Sequence, residues 1–341
     1  MLSTINISFI IITVMILCFT YANGFNDGAN SVATLIASRA MSPHKALLLA
    51  AAVEFVAPFF TLVVGANVAA TIKTIVYASA YSNPAVKHTA LAFIAAGMLA
   101  AIIWNTTTHA LGLPASSSHS LIGGVMGAGI AAFGFMQINW YNIFIKVVLM
   151  IFLTPVIGFA IGFLNMKIIN YLFRNAGQGA NKFFNIAQIF NMMYLAFNHS
   201  FNDSQKSVGI ILLLMSVEFG FTGAAPTWAL MLAGLALALG IAFGGFKIIK
   251  TVGTGIYKVM PQHSFASQLS AGSVILLSSI IGVPVSASQI VSSSIMGVGS
   301  AERVNAVRWN TIGKIIMSWI ITLPAVGLVG ALLFEILKFV F

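Results

Sequence analysis

Apolar segments of roughly 20 residues follow one another along almost the whole chain, and this pattern restricts its possible folds more than any other feature. A helix rises 1.5 Å per residue, so about 20 residues cover a hydrocarbon core about 30 Å thick. Inside such a solvent every peptide group must find its partner within the protein, which leaves helices or a closed barrel. The short strands of alternating polarity that build a barrel do not occur in this sequence. Only 6 acidic and 16 basic residues are spread over 341 positions, and 59% of the chain is hydrophobic, whereas a soluble domain is about a quarter charged. The expected class is therefore an all-α polytopic membrane protein. Its first apolar run lacks a basic leader and enters the polar stretch NGFNDGANS directly, so a retained span is expected there rather than a cleaved signal. The formal net charge of +10 lies at segment ends and forms no stripe, which fits membrane flanks and argues against a nucleic-acid partner. A single cysteine, Cys18, excludes an internal disulfide and a cysteine metal cluster.

The chain also repeats itself. GFND at 24–27 returns as SFND at 200–203, and LPASSSHSLIGGVMGAG at 113–129 returns as VPVSASQIVSSSIMGVG at 283–299. Pro155 and Pro324 occupy matching places further on. The first repeat is expected over 1–166, with a broken helix at 24–31 and a hairpin tip at 114–120. A short cytoplasmic linker at 167–183 leads to the second repeat, 184–341, with a broken helix at 200–206 and a tip at 284–290. If each hairpin enters and leaves on one side, each half crosses the membrane an odd number of times and the second half is inverted. With both termini outside, Arg39, Lys45, Lys167, Arg174, Lys182, Lys247, Lys250 and Lys258 fall inside and Lys73 and Lys87 outside, as the positive-inside rule asks. Arg303 and Arg308 are expected on the outer side, against the trend.

Two acids, Asp27 and Asp203, stand at equivalent repeat positions within apolar surroundings. A carboxylate near the bilayer centre costs about 2.5–3.5 kcal/mol, so it persists with a partner or a task. The glycines and asparagines around Asp27 predict an unwound helix, which is tolerated at depth where it lines a cavity. The second constellation is PASSSHS, from Pro114, and PVSASQI, from Pro284. Proline stops the incoming leg, and the serines open the outgoing one, where free N–H groups and the positive helix end favour an anion. Ser116, Ser117, Ser118, Ser286 and Ser288 add neutral donors. Two acids repel an anion at low dielectric, so either sodium ions or protons bind alongside, or a protonated oxyanion donates its own OH groups to the carboxylates. Asn26, Asn30, Asn202 and Gln205 offer oxygens suited to a hard cation such as sodium. Lys206 stands where the first repeat has Asn30 and reads as a built-in counter-charge or a local ion pair. Glu54 and Gln268 are further candidates for cation or proton handling, and His119 and His199 flank the two motifs.

At these residues the chain resembles the PiT family of inorganic phosphate transporters, most closely its bacterial members. The resemblance rests on NGFNDGANSVAT (23–34), GLPASSSHSLIGG (112–124), FNHSFNDSQKSVGI (197–210) and GVPVSASQIVSSS (282–294), and it covers both repeats. It implies uptake of phosphate coupled to sodium or protons in a bacterial plasma membrane, both termini outside, no cofactor, and binding by Asn26, Asp27, Asn202, Asp203 and the serines of both tips. Where the family usually reads HGAND, residues 199–203 read HSFND, and where it reads PVSTTH, Ala287 lacks a hydroxyl and Gln289 replaces histidine. Carriage of sulfate, arsenate or a metal–phosphate complex, or a passive channel, are the alternatives. A homodimer is one assembly compatible with the sequence. An intramembrane hydrolase is disfavoured, because the neighbours Ser118 and His119 cannot face one another as nucleophile and base and no GxSxG occurs.

Overall fold

Helices dominate because residues surrounded by hydrocarbon must bond their own backbone. The structure, a computed structural model, describes residues 6–177 and 179–341. The first repeat runs α1 (Ile7–Asn26), α2 (Gly28–Ala37), α3 (Pro43–Val56), α4 (Thr61–Val64), α5 (Asn67–Lys73), α6 (Lys87–Ala110), α7 (Ser117–Phe133), α8 (Trp140–Ile143) and α9 (Leu149–Leu172). The second runs α10 (Gly179–Phe219), α11 (Thr227–Phe243), α12 (Phe246–Gly255), α13 (Pro261–Ile280), α14 (Ala287–Arg303) and α15 (Trp309–Leu337). Five helical stretches are long and apolar enough to cross a membrane: Ile7–Ala37, Pro43–Val64, Pro84–Ala110, Trp140–Leu172 and Trp309–Leu337. The pair α11 and α12, bent by 70°, makes a sixth if counted as one span.

The two halves share their irregularities. The second segment of each half breaks at a glycine with positive φ, Gly65 at 96° and Gly244 at 58°. The hairpins turn at Gly112 (φ 67°) and Gly282 (φ 74°), a left-handed conformation that costs glycine little. At both turns the glycine N–H and the one after it close back on the incoming leg, Gly112 on His109 O and Leu113 on Thr108 O, Gly282 on Ser279 O and Val283 on Ser278 O.

Packing is reciprocal as well: α7 lies against α15 and α14 against α9, while α5 packs on α10 and α12 on α2. Small residues let these backbones touch. A Cβ added to Gly127 would collide with Gly327 O, and one added to Gly297 would collide with Phe159 O. The span formed by α1 and α2 runs antiparallel to α10. Phe9 meets Phe219 in a tilted ring pair with centroids 5.1 Å apart, Thr20 Oγ1 donates to Ser207 Oγ at 2.7 Å, and Ser38 Oγ donates to Gln188 Oε1 at 2.7 Å. Antiparallel alignment sets the two FND motifs side by side.

The hairpins are rooted at opposite ends of this bundle. The α6–α7 hairpin starts where α10 finishes, through the Lys87–Glu218 ion pair at 2.9 Å. The α13–α14 hairpin starts and ends where α10 begins, with Asn191 Nδ2 on Phe265 O at 3.0 Å and Asn170 Nδ2 on Glu302 Oε1 at 3.1 Å. Arg303 and Arg308, expected on the outer side, therefore lie at the end that holds Arg174 and Lys258. Arg308 Nη1 reaches Thr254 O at 3.0 Å there. The reason is that the second hairpin returns to its own root.

Other expectations are also corrected. The break predicted at 24–31 shrinks to Asp27 alone, at φ −86° and ψ −32°, and its N–H still donates to Asn23 O at 2.7 Å. The break predicted at 200–206 is absent, since α10 continues through it for 41 residues. No glycine interrupts SFNDSQKS, and side chains from other helices meet its polar groups, so the backbone keeps its own bonds. The linker expected over 167–183 is shorter, because apolar residues carry α9 on to Leu172 and α10 already begins at Gly179. The tip serines open the outgoing legs as expected, with α7 starting at Ser117 and α14 at Ala287, but the incoming legs end at Ala110 and Ile280, at the turn glycines and ahead of Pro114 and Pro284.

Substituting Gly127 by Val should destabilise the fold by about 1–3 kcal/mol through overpacking against α15. A detergent melting curve equal to wild type would contradict the close approach of α7 and α15.

Candidate functional site

The turns after α6 and α13 meet in the interior, beside the FND motifs, and their contacts are exchanged one for one. Ser118 Oγ donates to Val285 O at 2.7 Å, and Ser288 Oγ donates to Ala115 O at 3.0 Å. Ser116 Oγ caps α7 by accepting from His119 N at 3.2 Å, and Ser286 Oγ caps α14 by accepting from Gln289 N at 3.3 Å. Each cap satisfies one of the free N–H groups that a helix start leaves over. Ser286 and Ser288 hydroxyls also bond one another at 3.0 Å.

The FND asparagines follow the same symmetry. Asn26 Nδ2 donates to Asn105 O on α6 at 3.0 Å, and Asn202 Nδ2 donates to Ser279 Oγ on α13 at 2.7 Å. The amide oxygens of both are buried without a partner. Each FND motif is thereby tied to the incoming leg of the hairpin in its own repeat.

The acids depart from this symmetry. Asp27 accepts from Ser117 at one oxygen and from Asn30 Nδ2 at 3.4 Å at the other, all neutral donors. Asp203 is held by Lys206 and by Asn23 Nδ2 at 2.9 Å, with His199 Nε2 at 3.3 Å. His199 Nδ1 in turn meets Glu54 Oε1 at 2.8 Å, making a chain of Glu54, His199, Asp203 and Lys206. Glu54 and Lys206 are fully buried, and Asp203 and Asp27 are 1% and 2% exposed. Such charges survive in an apolar interior only when paired and hydrogen-bonded. Here the pairing runs from α3 through α10 to the hairpin tips.

Asp27, Asn26, Ser116, Ser117, Ser118, Asp203, Asn202, Lys206, Ser286 and Ser288 are thus brought into one neighbourhood. Gln205 does not join them. Its Oε1 accepts from Val68 N at 2.9 Å and its Nε2 donates to Phe201 O at 2.9 Å, so it caps α5 instead. Gln268, on α13, meets α2 further along, donating to Thr34 Oγ1 at 3.1 Å, with its own oxygen unpartnered. Asn30 Oδ1 is also buried and unpartnered. Sequence reasoning missed Asn23, Asn105 and Ser279. Asn23 lies one turn before Asp27 on the same face, but only the antiparallel packing of α1 on α10 turns it toward Asp203.

The chemistry these groups support is the ligation of oxygen-rich species. Amide, hydroxyl and carbonyl oxygens suit a hard cation, and the two capped helix starts suit an anion. A pocket of about 10 Å³ lies at the start of α7, lined by Asn26, Asp27, Asn105, Ala115 and Ser117 among others. That is room for about one water molecule.

Comparison with known proteins gives a concordant result. A family model described as "Phosphate transporter family" matches residues 23–330. A Bacillus subtilis (strain 168) protein described as a probable low-affinity inorganic phosphate transporter is 39% identical, over 97% of this chain and 98% of that protein. A protein of the same description from Rhizobium meliloti (strain 1021) is 36% identical, over 93% of this chain and 92% of its own length. A solved structure described as "The sodium-dependent phosphate transporter" superposes with a TM-score of 0.88 at 25% identity, covering 98% of this chain and 100% of that one.

The unequal partners of the acids set an order of stability. Asp203→Asn leaves Lys206 without its counter-ion and should cost about 3–5 kcal/mol. Asp27→Asn removes only neutral hydrogen bonds and should cost about 1–2 kcal/mol. Melting temperatures of the two purified variants give the comparison, and the reverse order would refute the assignment of partners.

Proposed function

The chain belongs to the phosphate transporter family, and we propose that it imports inorganic phosphate by cation-coupled alternating access, receiving the anion where the two hairpin tips meet. The observation that carries this reading is the reciprocal contact of the tips, Ser118 with Val285 and Ser288 with Ala115, directly beside Asp27 and Asp203. Hydroxyl-to-carbonyl bonds of this kind contribute only about 0.5–1.5 kcal/mol each. Parting the tips frees Ser118 and Ser288 to donate to phosphate oxygens, together with the backbone N–H groups that open α7 and α14. Asp27 and the caps Ser116 and Ser286 stand at the same opening. The protonated form H2PO4⁻ donates its OH groups to the carboxylates, which sulfate cannot do, and a site built for substrate hydroxyls rejects an analogue without them.

The two repeats are inverted in the membrane, in a bacterial plasma membrane with both termini outside. Support comes from the rooting of the hairpins at opposite ends of the bundle and from the matched pairings across the halves, α7 on α15 with α14 on α9 and α5 on α10 with α12 on α2. A carrier built this way opens to one side when one hairpin tilts and to the other side when its counterpart does.

Sodium is the coupling ion favoured by the neutral oxygens around Asp27, namely Asn26, Asn30 and the carbonyl of Ala115. A second reading, coupling to protons, is favoured by the line of titratable groups from Glu54 to Asp203, in which His199 Nδ1 bonds Glu54 Oε1 and His199 Nε2 stands 3.3 Å from Asp203 Oδ2.

Phosphate accumulation by reconstituted protein under separate inward sodium and proton gradients tests both. Uphill uptake under one of them is expected, and purely downhill flux would identify a channel instead. In the same assay Asp27→Asn should abolish coupled uptake in folded protein. The double substitution Ser116→Ala with Ser286→Ala should raise the phosphate concentration for half-maximal uptake about tenfold or more, and an unchanged value would remove the caps from the site.

A further inference from the structure

Lys206 is the one charged group at the tips that has no counterpart in the other half. Aligning SFND with GFND sets it opposite Asn30. Its ammonium has three N–H donors, and the structure accounts for all of them. They go to Asp203 Oδ1, to Ser118 Oγ at 2.6 Å and to Val285 O at 2.9 Å. None is left for a substrate. Ser118 accepts from the ammonium while its own hydroxyl hydrogen goes to Val285 O, so the ammonium sits in a cage of three oxygens drawn from α10, the α7 tip and the α14 tip. An ammonium ion with a carboxylate, a hydroxyl and a carbonyl around it has the ligand set of a bound alkali cation.

The mirrored cage can be read residue by residue. Asp203 corresponds to Asp27, Ser118 to Ser288, and Val285 to Ala115, and the hydroxyl-to-carbonyl bond recurs between Ser288 and Ala115. In place of the ammonium this half has the neutral Asn30, whose Oδ1 is buried and faces no donor. One half therefore carries a fixed positive charge, and the other carries an additional oxygen.

We propose that Lys206 is a tethered coupling cation: its ammonium permanently occupies the oxygen cage of the second repeat, so the cycle uses one diffusible cation fewer than the same scaffold with asparagine at both positions. This rests on the cation-coupled reading of the preceding subsection and specifies its stoichiometry. The lysine neutralises Asp203 in every conformation, loaded or empty, so the oxygen cage of the second repeat takes no exchangeable metal ion. A diffusible metal cation binds beside Asp27 alone. Because the tethered charge touches both tips, it also joins them through one group that cannot diffuse away when they part.

The substitution Lys206→Asn restores the residue of the first repeat and empties the cage of its charge. The full-length protein is reconstituted in liposomes, and initial phosphate uptake is titrated with sodium chloride at constant pH and ionic strength. The wild type tests the preceding reading by itself, since absence of any cation-driven uptake would end that reading before the variant is considered. Given a coupled wild type, Lys206→Asn should lose about tenfold or more of its uptake at low sodium and regain it at high sodium. The slope of log rate against log sodium should rise by about one, whether the wild type runs on sodium or on protons. The charge moved per phosphate, measured as transient current on a supported membrane, should rise by about one as well.

An unchanged slope and charge would overturn the proposal. So would a weakened phosphate affinity that sodium does not restore, since that result makes Lys206 a substrate ligand. If the variant transports nothing, its melting temperature is read with and without sodium. A sodium-dependent gain larger than that of wild type supports the tethered cation, and an equal response refutes it. Failure of both Lys206→Asn and Lys206→Gln to fold even in sodium would refute it also, because sodium is required to take over the ammonium's place.

Discussion

Ionised side chains held inside an apolar slab are the constraint from which this architecture follows. An isolated carboxylate or ammonium in a low-dielectric interior costs far more than a single hydrogen bond returns, so each must meet an opposite charge or several oriented dipoles. The chain from Glu54 through His199 and Asp203 to Lys206 meets that requirement with residues from α3 and α10. Its last member reaches both hairpin tips, which couples their position to the charge balance of the core. The packing of α1 and α2 along α10, and of α5 against the middle of α10, walls this chain off from lipid. The fold encloses a charge network, and the helices are placed accordingly.

The second organising fact is near-symmetry with one deliberate-looking inequality. Turn glycines, helix caps and FND asparagine contacts recur in both halves, and the tip-to-tip bonds are exchanged between them. The acids are not equivalent in their surroundings: Asp203 is paired with a fixed cation, and Asp27 only with neutral donors. A duplicated scaffold makes two like sites by default. A single lysine in place of an asparagine makes them unlike, and gives one half a fixed positive charge that the other lacks.

The closed contact of the tips also sets what movement demands. The bonds that join Ser118 to Val285 and Ser288 to Ala115 are neutral hydroxyl-to-carbonyl bonds, individually weak and easily exchanged for bonds to an oxyanion. By contrast, α7 on α15 and α14 on α9 are joined by glycine-lined backbone contact over much of their length. Each outgoing leg is thus fixed to the last helix of the opposite half, while the tips meet through these two bonds and the ammonium of Lys206.

Much of this was legible in the sequence. The apolar runs dictated membrane helices because nothing else satisfies a backbone in hydrocarbon. The doubled FND and Pro–Ser motifs pointed to two similar halves, and the cost of burying acids marked Asp27 and Asp203 as groups that need partners, which both have. Periodicity and composition could not reveal which helix faces which. For that reason the role of Gln205 as a cap for α5, the unbroken course of α10, the return of Arg303 and Arg308 to the end holding Arg174, and the approach of Asn23 to Asp203 were decided only by tertiary packing. Local residue types fix the solvent a segment can live in and the charges it must neutralise. Lys206 neutralises Asp203 from the next turn of the same helix, but Asn23 on Asp203 and Glu54 on His199 come from segments more than a hundred residues away, and only the three-dimensional arrangement of helices selects those partners.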